Sequence, residues 1–129
     1  MQENFFEWLD RVLETNPLPP EIVAVNFNLY EESEDNTYSI QLVGADYFDE
    51  DNADWACDTP YSSEEDLFIF VDKYNTDDEN DCERALETCS ALITAYLNKG
   101  KFADLLNGMQ AVAYGHVDGE LEILHVNKA

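Results

Sequence analysis

Residues 21–44 read EIVAVNFNLYEESEDNTYSIQLVG, and their alternation decides the fold class. Val23, Val25, Phe27 and Leu29 alternate with Ala24, Asn26, Asn28 and Tyr30, which predicts a half-buried strand with one apolar face. After the polar turn ESEDN, Tyr38, Ile40 and Leu42 resume the same period, so the two runs pair as a hairpin. Upstream, Phe5, Trp8, Leu9, Val12 and Leu13 recur at three- and four-residue steps and predict an amphipathic helix over about residues 3–15. NPLPP stops it, because proline lacks the N–H a helix needs and restricts the residue before it.

Downstream, DYFDEDNADWACDTPYSSEED at 46–66 predicts a long irregular acidic loop with room for a short strand near Trp55. LFIFVDKY reads as a buried strand, with a helix capped by Ser62 or Ser63 as its alternative. TDDE at 76–79 fits a capping box, in which the Thr76 hydroxyl and the Glu79 carboxylate satisfy free backbone N–H groups. Cys82, Ala85, Leu86, Cys89, Ile93, Tyr96 and Leu97 form the stripe of the helix that follows, ended by Lys99 and Gly100. KFADLLNG predicts a shorter helix with Phe102, Leu105 and Leu106 inward. AVAYGHVDGELEILHV closes the chain as a hairpin turned at Asp118-Gly119, since a type I′ turn requires positive φ at both central positions. The order α-β-β-(loop)-β-α-α-β-β predicts one α+β domain over 1–129, with helices packed on a mainly antiparallel sheet of about five strands.

Charge narrows the functional classes. Of 129 residues, 29 are acidic and six basic, a net charge of −23. Phosphate and anionic-lipid binding run on Lys and Arg, so direct nucleic-acid or membrane binding is not expected. The hydrophobic content of 45% suits a folded chain. The repulsion is concentrated: residues 31–83 carry 19 acids and one base, and residues 84–129 carry five acids and four bases. No apolar run approaches a membrane span, and MQENFFEWLDRV lacks the character of a signal peptide. Cys82 and Cys89, about 10.5 Å apart on one helix, cannot bridge. Reduced cysteines in a cytoplasmic protein are therefore expected, with a bridge from Cys57 to either left open.

Catalytic and metal signals are weak. With Asp118-Gly119 as the turn, His116 and His125 lie on one face about 13 Å apart, too far for one zinc ion without a third element. Neither acidic run has the central glycine of an EF-hand loop. G-x-S-x-G and a glycine-rich phosphate loop are absent, and the acidic surroundings of Cys57 oppose a nucleophilic thiolate. Neither catalysis, metal nor cofactor is expected. Gly115 reads as a strand position that leaves room for a neighbour.

Acids interleaved with rings read either as a solvated loop with aromatics turned inward or as a docking surface. In the second, rings supply desolvated contact and carboxylates supply field. With its EESED, DYFDEDNAD and EED runs near Tyr47, Trp55 and Tyr61, the chain resembles the immunity proteins of bacterial toxin systems. These are small acidic α+β domains that cover the substrate face of basic nucleases. YGHVDGELEIL is similar to a hairpin of uncharacterised bacterial proteins with no activity attached. The resemblance implies an immunity or inhibitor protein, with Asp46, Tyr47, Asp49, Glu50, Asp51, Asp54, Trp55 and Tyr61 meeting a basic partner protein. Two other classes stay open. One is a small enzyme or ligand-binding domain with a pocket between sheet and helices, lined by Tyr114, His116 and Cys57. The other is a scaffold or oligomeric component without a separate site.

Overall fold

A computed structural model of the chain describes residues 2–32, 37–56, 59–63, 66–71, 81–116 and 121–126. In chain order the elements are α1 (Gln2–Thr15), β1 (Ala24–Glu31), β2 (Thr37–Ala45), a 3-10 turn (Ala53–Ala56), β3 (Tyr61–Ser62), β4 (Phe68–Val71), α2 (Asp81–Lys99), α3 (Ala103–Asn107), β5 (Ala111–His116) and β6 (Glu122–Val126). The fold is α+β. The sheet runs β3-β2-β1-β5-β6, and β4 shares the outer edge of β2 with β3, giving six strands where about five are expected. Among the described residues every pairing is antiparallel except β1 with β5. Those two strands are far apart in sequence, with α2 and α3 between them, the long crossover that parallel pairing requires.

One face of the sheet carries the main core. Phe5, Trp8, Leu9, Val12 and Leu13 of α1 are buried, as their spacing predicts. They join Val25, Phe27 and Leu29 of β1, Ile40 and Leu42 of β2, and Ala85, Cys89, Ile93 and Tyr96 of α2 in one apolar cluster. Polar ties pin its rim. The Tyr96 hydroxyl donates to Asp10 Oδ1 at 2.6 Å and accepts from Phe102 N–H at 3.1 Å, joining α1 to the α2–α3 connection. The Arg11 guanidinium holds the Asp66 carboxylate at 2.8 Å, and the Trp8 indole donates to Asp66 O at 3.0 Å. Part of the acidic run is thus spent on closing the loop against α1. Lys101 pairs with Glu14.

Several expectations need correction. Phe68 and Phe70 of β4 are buried but Ile69 and Val71 are exposed, so β4 is half-buried, an edge strand with one face in the core. Leu105 faces solvent, and Ala103 with Leu106 anchors α3. Strand β1 is covered on both faces at its start: Ala24 and Asn26 are as buried as Val25. Strand β6 pairs Glu122 with Tyr114 and Ile123 with Ala113, then shifts by one residue so that His125 meets Val112. A bulge absorbs the extra residue and re-aims the strand. The two histidines consequently serve different neighbourhoods, His125 bonding Asn107 O at 3.0 Å and His116 lying at the far end of β5. The capping box at 76–79 and the Asp118-Gly119 turn lie outside the described residues.

Cys89 carries a free, fully buried thiol, so it takes no part in a bridge to Cys57. Burial pushes that thiol up to about 12, and pushes the Tyr61 phenol up to about 12 as well. Both groups are neutral when protonated, and folding favours that form. Their stabilisation is fully present below their ordinary pKa values and is lost as the pH rises towards about 12. Cys89 should therefore resist a thiol reagent at mildly alkaline pH until denaturant is added. Mass spectrometry of the labelled peptide checks this, and rapid labelling of Cys89 in the native protein would contradict the burial.

Candidate functional site

The face of the sheet turned away from the helices is built in rows. Pairing register aligns Ala45, Ala24 and Ala111 in the first row, Val43, Asn26 and Ala113 in the second, and Gln41, Asn28 and Gly115 in the third. Three alanines in line make a shallow seat, and the acidic loop returns over the sheet to fill it. The loop is shaped locally: Asp49 Oδ1 accepts from Asp51 N–H at 2.9 Å and Asn52 Oδ1 from Asp54 N–H at 3.0 Å. Such side-chain-to-backbone bonds two residues on are what make Asp and Asn turn formers. The 3-10 turn that follows drives Trp55 onto the alanine row, where it is 1% exposed, and Phe48 packs edge-on against it at 5.2 Å.

Beyond Trp55 the seat opens into a cleft of about 790 Å³. Its floor is polar, with Asn26, Asn28, Tyr30 and Gln41, and at Gly115 the third row has no side chain beside Asn28. His116, Leu121 and Ile123 form one side, and Asp49, Glu50 and Asp51 form the acidic lip. Much of the floor is internally satisfied. Tyr30 donates to Gln41 Oε1 at 2.9 Å, and Gln41 Nε2 donates to Ser62 Oγ at 3.2 Å. Asn26 Nδ2 donates to Asn28 Oδ1 at 2.7 Å, which fixes the Asn26 carboxamide and leaves its oxygen facing no partner. The Trp55 indole N–H is also buried without a partner.

The eight residues expected at a docking surface separate into three groups. Asp49, Glu50, Asp51 and Trp55 come together at the cleft, the acids exposed on the lip and Trp55 buried as its inner wall. Asp46, Tyr47 and Asp54 are exposed outside the lining. Tyr61 points to the opposite face, within the main core, its hydroxyl donating to Asn16 O at 2.7 Å. Its cross-strand neighbour Gly44 leaves room chiefly for Ile22, since a Cβ there would lie 2.7 Å from Ile22 but 3.4 Å, an ordinary contact, from Tyr61. Neither Trp55 nor Tyr61 is an exposed anchor, because Trp55 fills the alanine seat and Tyr61 lies in the main core. The pocket expected between sheet and helices is instead on the helix-free face. His116 lines it, Tyr114 packs on the main core, and Cys57 lies outside the described residues.

The polar floor of Asn26, Asn28, Tyr30 and Gln41 is not recognised as a site in the sequence. Outward polar residues on a strand signal solvent until a distant loop is known to cross them, and Gly115 is the one local hint of space. Among the described residues no group of three or more His, Cys, Asp or Glu is placed to hold a metal ion, and no helix is long and apolar enough to cross a membrane. Comparison of the chain with protein-family models, with curated proteins and with solved structures finds no match in any of the three.

Proposed function

We propose that this chain is a binding protein for a basic partner protein, and that the partner's cationic side chains are received at the lip of the cleft. The observation that carries the reading is the placement of Asp49, Glu50 and Asp51. All three are exposed on one rim, and none of them is in an ion pair among the described residues. Exposed carboxylates held close together repel one another and lower stability. A cationic partner relieves that repulsion on binding. The role fits an inhibitor of the immunity type, which acts by covering a basic surface and needs no bond-breaking step of its own.

The field would act before contact. Over about 8–10 Å at moderate salt, the unscreened part of a −23 chain draws in a positive surface and accelerates encounter. The test is affinity capture of basic proteins from the source cell at low and high ionic strength, repeated with Asp49→Asn, Glu50→Gln and Asp51→Asn combined. The reading expects one basic protein retained at low salt, released at high salt and lost in the neutralised variant. A partner retained equally by the variant would overturn it.

A further inference from the structure

We infer that the inner end of the cleft is a recognition site for a carboxamide group, the side chain of a Gln or Asn residue flanked by Lys or Arg in a peptide segment. This deepens the proposed function, on which it rests, by naming what the partner inserts. The argument starts from two atoms. Asn26 is 3% exposed and its Oδ1 has no hydrogen-bond partner, and Trp55 is 1% exposed and its Nε1–H has none. A buried polar group left unpaired carries a desolvation cost of about 1–3 kcal/mol. Two lining one cleft call for a reason.

The two groups share one cleft and are complementary. Trp55 belongs to the buried cluster containing Ala113, and Ala113 is the cross-strand partner of Asn26. One group is an acceptor and the other a donor. A ligand that satisfies both must present a donor and an acceptor together; a carboxamide does so with its N–H and C=O on two separate atoms, where a hydroxyl has to use a single oxygen for both. An ammonium or polyamine has donors alone and leaves the Trp55 N–H unpaired. A carboxylate or phosphate has acceptors alone and meets the repulsion of Asp49, Glu50 and Asp51 at the entrance. The cleft's volume, about 790 Å³, lies within the range of about 300–1,000 Å³ usual for small-ligand sites. It takes one side chain with its flanking residues. The bond from Asn26 Nδ2 to Asn28 Oδ1 holds the acceptor in place before anything enters, so little ordering remains to be done on binding.

The test uses the whole chain and three capped tripeptides, Lys-Gln-Lys, Lys-Met-Lys and Lys-Glu-Lys. Met keeps the length of Gln without its polar atoms, and Glu keeps the acceptors without the donors. The two indole N–H resonances are separate reporters, since the Trp8 indole is bonded to Asp66 O while the Trp55 indole is unpartnered. The inference expects Lys-Gln-Lys to shift the Trp55 indole signal and leave that of Trp8 in place, and to bind about tenfold tighter than either analogue. In Trp55→Phe, which keeps a ring on the alanine row, the advantage of Gln over Met should shrink. Equal binding of the Gln and Met peptides, or no movement of the Trp55 signal with any of them, would overturn the inference. In that case loss of partner capture in the Asp49–Asp51 neutralised variant would still stand for the charge reading alone. Conversely, a Gln-selective shift alongside partner capture indifferent to those acids would sink the proposed function and leave a carboxamide site.

Discussion

Combining Asp49→Asn, Glu50→Lys and Asp51→Lys slows association with the basic partner about ten- to a hundredfold at low ionic strength, and the difference shrinks as salt is added. The first change adds one unit of charge and the other two add two each, so the net moves from −23 to −18. Charge complementarity separates association rates of about 10⁵–10⁶ from 10⁸–10⁹ M⁻¹s⁻¹ at low salt, so reversing the charges nearest the cleft removes a large share of that factor. Asparagine is chosen at 49 because Asp49 Oδ1 accepts the Asp51 N–H, and an amide oxygen preserves that turn. Thermal stability should stay level or rise, since like charges on one rim have been separated. Stopped-flow association across a salt series is the measurement. An unchanged rate and salt slope would mean that the lip plays no part in capture.

The parts of this molecule that sequence makes legible are those governed by neighbours along the chain. The stripe from Phe5 to Leu13 and the alternation of Val25, Phe27 and Leu29 are local periodicities, and the structure has a helix and a strand there with those faces inward. What stays hidden depends on contacts between distant residues. Ala24, Ala45, Ala111 and Ala113 are individually unremarked small residues, and they become a seat for Trp55 only when the pairing of β1 with β2 and β5 sets them side by side. FIFV contains no polar residue, so the exposure of Ile69 and Val71 has no trace in its pattern. The candidate site divides in the same way. Asp49, Glu50 and Asp51 announce themselves by charge, whereas Asn26 reads as solvent-facing until the loop carrying Trp55 is known to lie over it.

Phe5→Ala should be the most damaging single truncation, lowering unfolding free energy by about 3–5 kcal/mol. The Phe5 ring is fully buried where four elements meet. It approaches Trp8 of α1 at 5.6 Å, Phe27 of β1 at 6.2 Å, Phe68 of β4 at 5.3 Å and Tyr96 of α2 at 6.5 Å, the last two nearly edge-on. Edge-to-face pairs add about 0.5–1.5 kcal/mol beyond area burial. The cavity left behind would be hard to close, because its walls belong to separate elements held by their own pairings, and such cavities carry the larger costs. Against a typical total of about 5–15 kcal/mol, that loss takes a large share of the chain's stability. The matched control is Leu105→Ala on α3, where the side chain is 41% exposed and the change should stay within about 0.5 kcal/mol. Urea denaturation followed by far-ultraviolet circular dichroism compares the two. A loss below about 1 kcal/mol for Phe5→Ala, set against the usual cost of such truncations, would show that the ring cluster is not what fastens α1 and α2 to the sheet. The helix-free face, with its Trp55 seat and cleft, would then have to carry more of the fold's stability than its few apolar contacts suggest.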